Sequence, residues 1–115
     1  GWVVNIGSIM GTYGDEGSAI YSTAKAAVHE YTRTLAAHLR VYNVNANTVA
    51  PGDTLTARFG ASRVIDESMA VTEGTLVRYG QPMEIARAVG FLVTGGTYMT
   101  GQVIRVDGGK QTWPA

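Results

Sequence analysis

Apolar residues at positions 20, 24, 28, 31, 35 and 39 recur at spacings of three and four, the period of an amphipathic helix running from about Ala19 to Arg40. Ser18 stands before it as a helix N-cap, and Arg33, His38 and Arg40 lie toward its negative end. A short apolar run flanks each side: WVVNI, Trp2 to Ile6, and NVNANTVA, Asn43 to Ala50, the second stopped by Pro51 and Gly52. WVVNI suits a strand buried on both faces. The asparagines make NVNANTVA a poor strand by propensity, and its flanks assign it as one. Two strands joined by a helix of this length pair in parallel, since a hairpin has no room for it.

The remaining chain extends the pattern. Glycines at 7, 11, 14 and 17 mark a loop between the first strand and the helix, and their spacing is not the Gly-x-Gly-x-x-Gly of a dinucleotide fingerprint. Thr54 to Tyr79 holds helical fragments interrupted by Gly60 and Gly74, an excursion passing over a site. Pro82 opens a further helix at the favoured first position, Glu84 complements its start, and Ile85, Val89 and Leu92 form its apolar stripe. Gly95 and Gly96 end it. Gln102 to Val106 reads as a third strand, closed by the turn Asp107, Gly108 and Gly109. The predicted fold class is α/β, with a parallel sheet of about three strands.

Composition narrows the function. Nine basic and nine acidic residues cancel, which leaves no electrostatic footprint for nucleic acid or an anionic membrane. Cysteine is absent, so disulfides, thiolate metal sites and a cysteine nucleophile are excluded; this fits a reducing, cytoplasmic setting. No apolar run approaches the roughly 20 residues needed to span a bilayer. His29 and His38 stand too far apart to bind a metal jointly on one helix face, so no metal is assigned. Asp15, Glu16 and Asp53 form no matched carboxylate pair and are read as solvated.

The chemistry rests on SAIYSTAKAAV. Tyr21 and Lys25, four apart on a helix, share one face, so the Lys25 ammonium can lie beside the Tyr21 phenol and is expected to favour its ionised form. Ser8, at the end of WVVNIGS, precedes Tyr21 by thirteen residues.

Four blocks in this order, VVNIGS, YSTAK, NTVAPGDTLT and RYGQPMEIARAVGFLVTGGTYMTGQVIRVDGG, resemble the short-chain dehydrogenase/reductases over nearly the whole chain. The resemblance implies a Rossmann-type three-layer fold and an NAD- or NADP-dependent oxidoreductase acting on a small-molecule alcohol or carbonyl. It assigns Ser8 to polarising the substrate oxygen, Tyr21 to proton transfer, and Lys25 to the cofactor ribose and the Tyr21 phenol. Pro51, Gly52, Thr54 and Thr56 match the turn that lies against the nicotinamide. Residues 1–115 would then be the C-terminal catalytic half of such a domain, without the preceding dinucleotide-binding half and without the Asn that completes the catalytic set.

Plainer roles stand beside these. Ser8 could be a turn hydrogen-bonder, Pro51 and Gly52 strand punctuation, Thr56 a helix cap and Asp107 a turn anchor. Phe59, Ile65, Met69, Val71 and Leu76 could line an apolar pocket or pack as core. Right-handed connections would put both helices on one face of the sheet and leave the other bare, with a free edge on the first strand. A chain that opens at Gly1 in mid-fold is therefore expected to be a fragment, associating with a missing N-terminal half or forming a homo-oligomer. The rival reading is a noncatalytic remnant that binds partners through its helices.

Overall fold

The computed structural model describes residues 1–113; the last two residues of the half assigned above, 114 and 115, lie outside the described residues. Strand β1 (Trp2–Ile6) is followed by helix α1 (Ala19–Leu39), strand β2 (Asn45–Pro51), a short helix α2 (Ala57–Ser62), helix α3 (Pro82–Thr94) and strand β3 (Val103–Val106). The sheet is parallel in the order β1-β2-β3, with Asn5 beside Thr48 and Val49 beside Ile104. Element order and fold class match the expectation, and helix α3 has the predicted bounds. Strand β2 begins and ends slightly later than its sequence pattern.

Alternation along the strands shows how the layers are built. Asn5 Nδ2 donates to Thr32 Oγ1 of α1 at 2.9 Å, so Asn5 and its register partner Thr48 face α1. Asn45, Asn47 and Val49 point to the opposite face. There Asn45 and Asn47 each donate to the Met99 carbonyl, at 2.8 and 2.9 Å, and Asn47 Oδ1 accepts the Gln102 N–H at 3.0 Å. Helix α3 packs against the three strands from that side, with Leu92 1% exposed; such burial contributes on the order of 2 kcal/mol. All five residues from Ala46 to Ala50 are buried.

The two long helices thus lie on opposite faces, which corrects the expectation of one covered and one bare face. Both crossovers step the same way across the sheet, so they have opposite hands. The right-handed preference holds where a strand feeds directly into its helix. Here residues 52–81 intervene, leaving β2 and returning beside it: Gly80 N–H donates to the Asp53 carbonyl at 2.9 Å and Leu55 N–H to the Gly80 carbonyl at 2.9 Å. The twist of β2 therefore does not choose the side on which α3 packs. Among the described residues no strand pairs with the outer edge of β1, and Trp2 and Ile6, 43% and 47% exposed, are not buried on both faces as WVVNI suggested.

Helix α1 turns a different side inward from the one its apolar residues mark. Ile20 and Tyr31 are 89% and 62% exposed, while His29, Thr32 and Ala36 are buried. The inward stripe is polar and small because its partners are Asn5 and Gly7, which satisfy Thr32 and leave space for an imidazole. Ser18 occupies the N-cap position, but its hydroxyl donates to Asp15 Oδ2 at 2.7 Å and does not cap the helix. Gly60 sits inside α2 and does not interrupt it.

The excursion is organised by Tyr79. Its ring packs edge-on against Phe59 at 5.2 Å, and its hydroxyl accepts the Asp66 N–H at 2.9 Å. Leu76, 68% exposed, is not core.

Candidate active site

Parallel α/β sheets bind ligands beyond the carboxyl ends of their strands. Ser8 stands just past the end of β1, where Gly7 N–H donates to the Val49 carbonyl of β2 at 2.8 Å and ties the departing chain to the sheet. Ser8 is 6% exposed and caps the 3-10 turn Ile9–Gly11, its Oγ accepting the Met10 N–H at 3.1 Å. The turn role raised above is therefore real, and it leaves the hydroxyl proton free, since a hydroxyl can donate while it accepts.

Lys25 approaches the same strand end from α1. Its Nζ donates to the Ile6 carbonyl at 3.1 Å and lies 5.9 Å from the centroid of the Tyr21 ring, one helical turn earlier. Tyr21 is 51% exposed. One carbonyl uses only one of the three ammonium donors.

The turn after β2 is held closely. Gly52 N–H donates to the Val106 carbonyl at 3.0 Å, and a Cβ at Gly52 would stand 2.8 Å from the Asp107 Cβ, so only glycine fits between the two strand ends. Thr54 Oγ1 donates to the Gly52 carbonyl at 3.0 Å, and Thr56 Oγ1 caps α2 by accepting the Phe59 N–H at 3.1 Å. Both hydroxyls serve the backbone here. Asp107 anchors its turn by accepting the Gly109 N–H at 2.9 Å.

Asp53 is not a solvated carboxylate. It pairs with Arg63 at 3.5 Å and with Lys110, joining the end of α2 to the segment after β3. Lys110 and Asp53 also border a cavity of about 450 Å³, together with Leu76, Arg78, Glu84 and Trp113. That cavity is lined by none of Ser8, Tyr21 and Lys25, and within it Arg78 pairs with Glu84 and Lys110 with Asp53. We place the site at the strand end instead, where the unspent donors are.

The family model described as enoyl-(acyl carrier protein) reductase matches residues 1–111. Carbonyl reductase family member 4 of Danio rerio is 40% identical over 111 residues, covering 96% of this chain and 45% of that protein. The chain belongs to the short-chain dehydrogenase/reductase family. A second relative of this oxidoreductase family, 3-oxoacyl-(acyl-carrier-protein) reductase FabG of Vibrio cholerae, is 37% identical over 110 residues, covering 95% of this chain and 45% of the relative. Among solved structures, a 7α-hydroxysteroid dehydrogenase complexed with NADH and 7-oxo glycochenodeoxycholic acid superposes with a TM-score of 0.84 at 29% identity. That likeness covers 95% of this chain and 44% of the dehydrogenase. The short-chain dehydrogenase/reductase chain described here spans about 45% of the length of the curated relatives it matches.

Sequence reasoning overlooked His29, weighing it only as half of a metal pair with His38. The imidazole lies under the Ser8 loop, and Nε2 accepts the Ser8 N–H at 3.2 Å. Its position four residues after Lys25, on the same helix face, together with glycines at 7 and 11, was the available signal.

Proposed function

We propose that this chain carries out the proton-transfer part of an NAD(P)-dependent interconversion of an alcohol and a carbonyl compound. The observation that carries the reading is Lys25 held on the Ile6 carbonyl at 3.1 Å, two residues before Ser8 in the chain, beside the half-exposed Tyr21. In the reducing direction Ser8 Oγ–H donates to the substrate carbonyl oxygen and Tyr21 Oη gives that oxygen its proton. In the oxidising direction Tyr21 takes the proton back. The two unspent Lys25 donors suit a vicinal diol such as a ribose, and Pro51, Gly52, Thr54 and Thr56 form the wall on which the nicotinamide would rest. When bound, the nicotinamide supplies or receives the hydride.

The described residues present no phosphate-binding glycine turn, so the pyrophosphate seat belongs to a further segment. We assign that segment to the outer edge of β1, where Trp2 and Ile6 are half-exposed; residues 1–113 then serve as the catalytic half of a larger oxidoreductase unit. A partner-binding role for α1 is favoured by Ile20, 89% exposed on a helix with an otherwise satisfied inner face.

Titration with NADH and NADPH, followed by cofactor fluorescence, with and without an added dinucleotide-binding segment, tests this. Micromolar binding and carbonyl-dependent oxidation of the cofactor only when the segment is present support the reading. Absence of turnover in that restored assembly across ketone and acyl-thioester substrates would leave only the partner-binding role.

A further inference from the structure

His29 enters the angle between β1 and the Ser8 turn and is 2% exposed. The loop is shaped around it. A Cβ at Gly7 would stand 2.1 Å from His29 Nε2, and one at Gly11 would stand 2.8 Å from His29 Cε1. Thr48 of β2 closes the third side, its methyl 2.8 Å from the same Gly7 position. The segment GSIMG thus carries glycine at both places where a side chain would expel the ring. Because Nε2 accepts the Ser8 N–H, the ring proton is on Nδ1 and the imidazole is neutral. Protonation at Nε2 would set N–H against N–H and remove the bond.

We propose that neutral His29 is a positioning residue for Ser8, fixing its amide from beneath so that its hydroxyl is held at the strand end, and that protonation of His29 releases that hold. The inference rests on the reading of Ser8 as donor to the substrate oxygen. It needs His29 to stay neutral in the working range, and its surroundings favour this. Burial, then the charges of Arg33 and Lys25, lower its pKa from 6.5, while a hydrogen bond with the Gly11 backbone favours the proton. Arg33 and Lys25 are the charged groups bearing on the ring, both from its own helix; the loop brings Gly7, Ser8 and Gly11, and β2 brings Thr48. None of those supplies an anion to stabilise an imidazolium.

The first test uses the unmodified full chain. Imidazole ¹⁵N shifts and the Ser8 amide proton are followed by NMR from pH 8 downward. We expect the Nδ1–H tautomer at pH 8, a His29 midpoint below 6.5, and a Ser8 amide shift with the same midpoint. A Ser8 amide indifferent to His29 titration, or an Nε2–H tautomer, overturns the proposal. The second test compares His29→Gln, whose side-chain oxygen can accept the same N–H, with His29→Phe, which cannot. In the assembly restored with a dinucleotide-binding segment, we expect His29→Phe to lose on the order of 10²-fold in kcat at unchanged nucleotide KM. His29→Gln recovers most of this and loses the acid limb set by His29; equal losses in the two variants count against positioning. If the NMR coupling is present while Ser8→Ala keeps full turnover, His29 still holds Ser8 and the catalytic reading of Ser8 is what falls.

Discussion

Lys25 gives a hydrogen bond at 3.1 Å to the carbonyl of Ile6, nineteen residues earlier, and so fastens the first turns of α1 to the last residue of β1. A helix and a strand end joined in this way hold Tyr21, one turn before Lys25, and Ser8, two residues after Ile6, to a common frame. Lys25→Met removes the bond together with the charge. We expect a stability loss of about 0.5–1.5 kcal/mol by denaturant titration. Nucleotide affinity should fall far more, measured in whatever assembly supports binding. A variant that binds NADH and NADPH like the parent would show that Lys25 is only a fastener.

Tyr21 carries the opposite balance. At 51% exposure it has little packing to lose, so Tyr21→Phe should change stability by no more than about 0.5 kcal/mol. Turnover should drop by roughly 10²–10⁴-fold, the usual worth of a positioned proton donor. Thermal melts and steady-state rates on the same preparation separate these effects. Retained turnover would move the proton transfer to another group.

Much of this was legible from residues alone, and the failures have common physics. The strand and helix positions followed from periodicity, while the roles proposed for Ser8, Tyr21 and Lys25 came from the family resemblance. Two features depend on tertiary partners that no local pattern encodes. Helix α1 buries His29 and Thr32 in preference to Ile20 and Tyr31, because Asn5 of β1 and Gly7 just after it face the helix. Asn45 and Asn47, poor strand residues by propensity, hold the turn after α3 through the Met99 carbonyl. The handedness error had a similar origin: the rule was applied to a crossover in which residues 52–81 separate the strand from its helix.

Two loop glycines give a matched comparison. Gly7 is buried, and a methyl there meets His29 Nε2 at 2.1 Å and Thr48 Cγ2 at 2.8 Å, whereas at Gly14 nothing lies within 4 Å. Gly7→Ala should cost stability at the upper end of the roughly 1–3 kcal/mol typical of overpacking. Gly14→Ala should be neutral, or stabilising by up to about 1 kcal/mol through the unfolded chain. Adding His29→Ala to Gly7→Ala should recover part of the loss, because the two changes share one space. Additive losses in the double variant would mean that the methyl and the imidazole do not compete.

The last prediction concerns the clamp at the end of the excursion. Glu84 accepts from Arg78 through both oxygens, at 2.6 and 3.0 Å, and from the Gln81 N–H at 2.8 Å, closing the capping box of α3. These bonds, that from Arg78 first, lower its pKa from 4.5 to about 2. Between those values the unfolded chain binds the proton more readily than the folded one, so stability rises with pH across this window. The contribution is complete above about 4.5 and is lost as pH falls toward 2. Glu84→Gln should therefore lie below the parent at pH 7, with the gap narrowing as acid protonates the parent carboxyl. Because Arg78 lies two residues before Gly80, which meets the Asp53 to Leu55 turn, the variant should also loosen that turn, seen as faster amide exchange at Leu55 and Gly80. Parallel stability curves for parent and variant between pH 7 and 2 would show that Glu84 is not the group whose proton is coupled to folding.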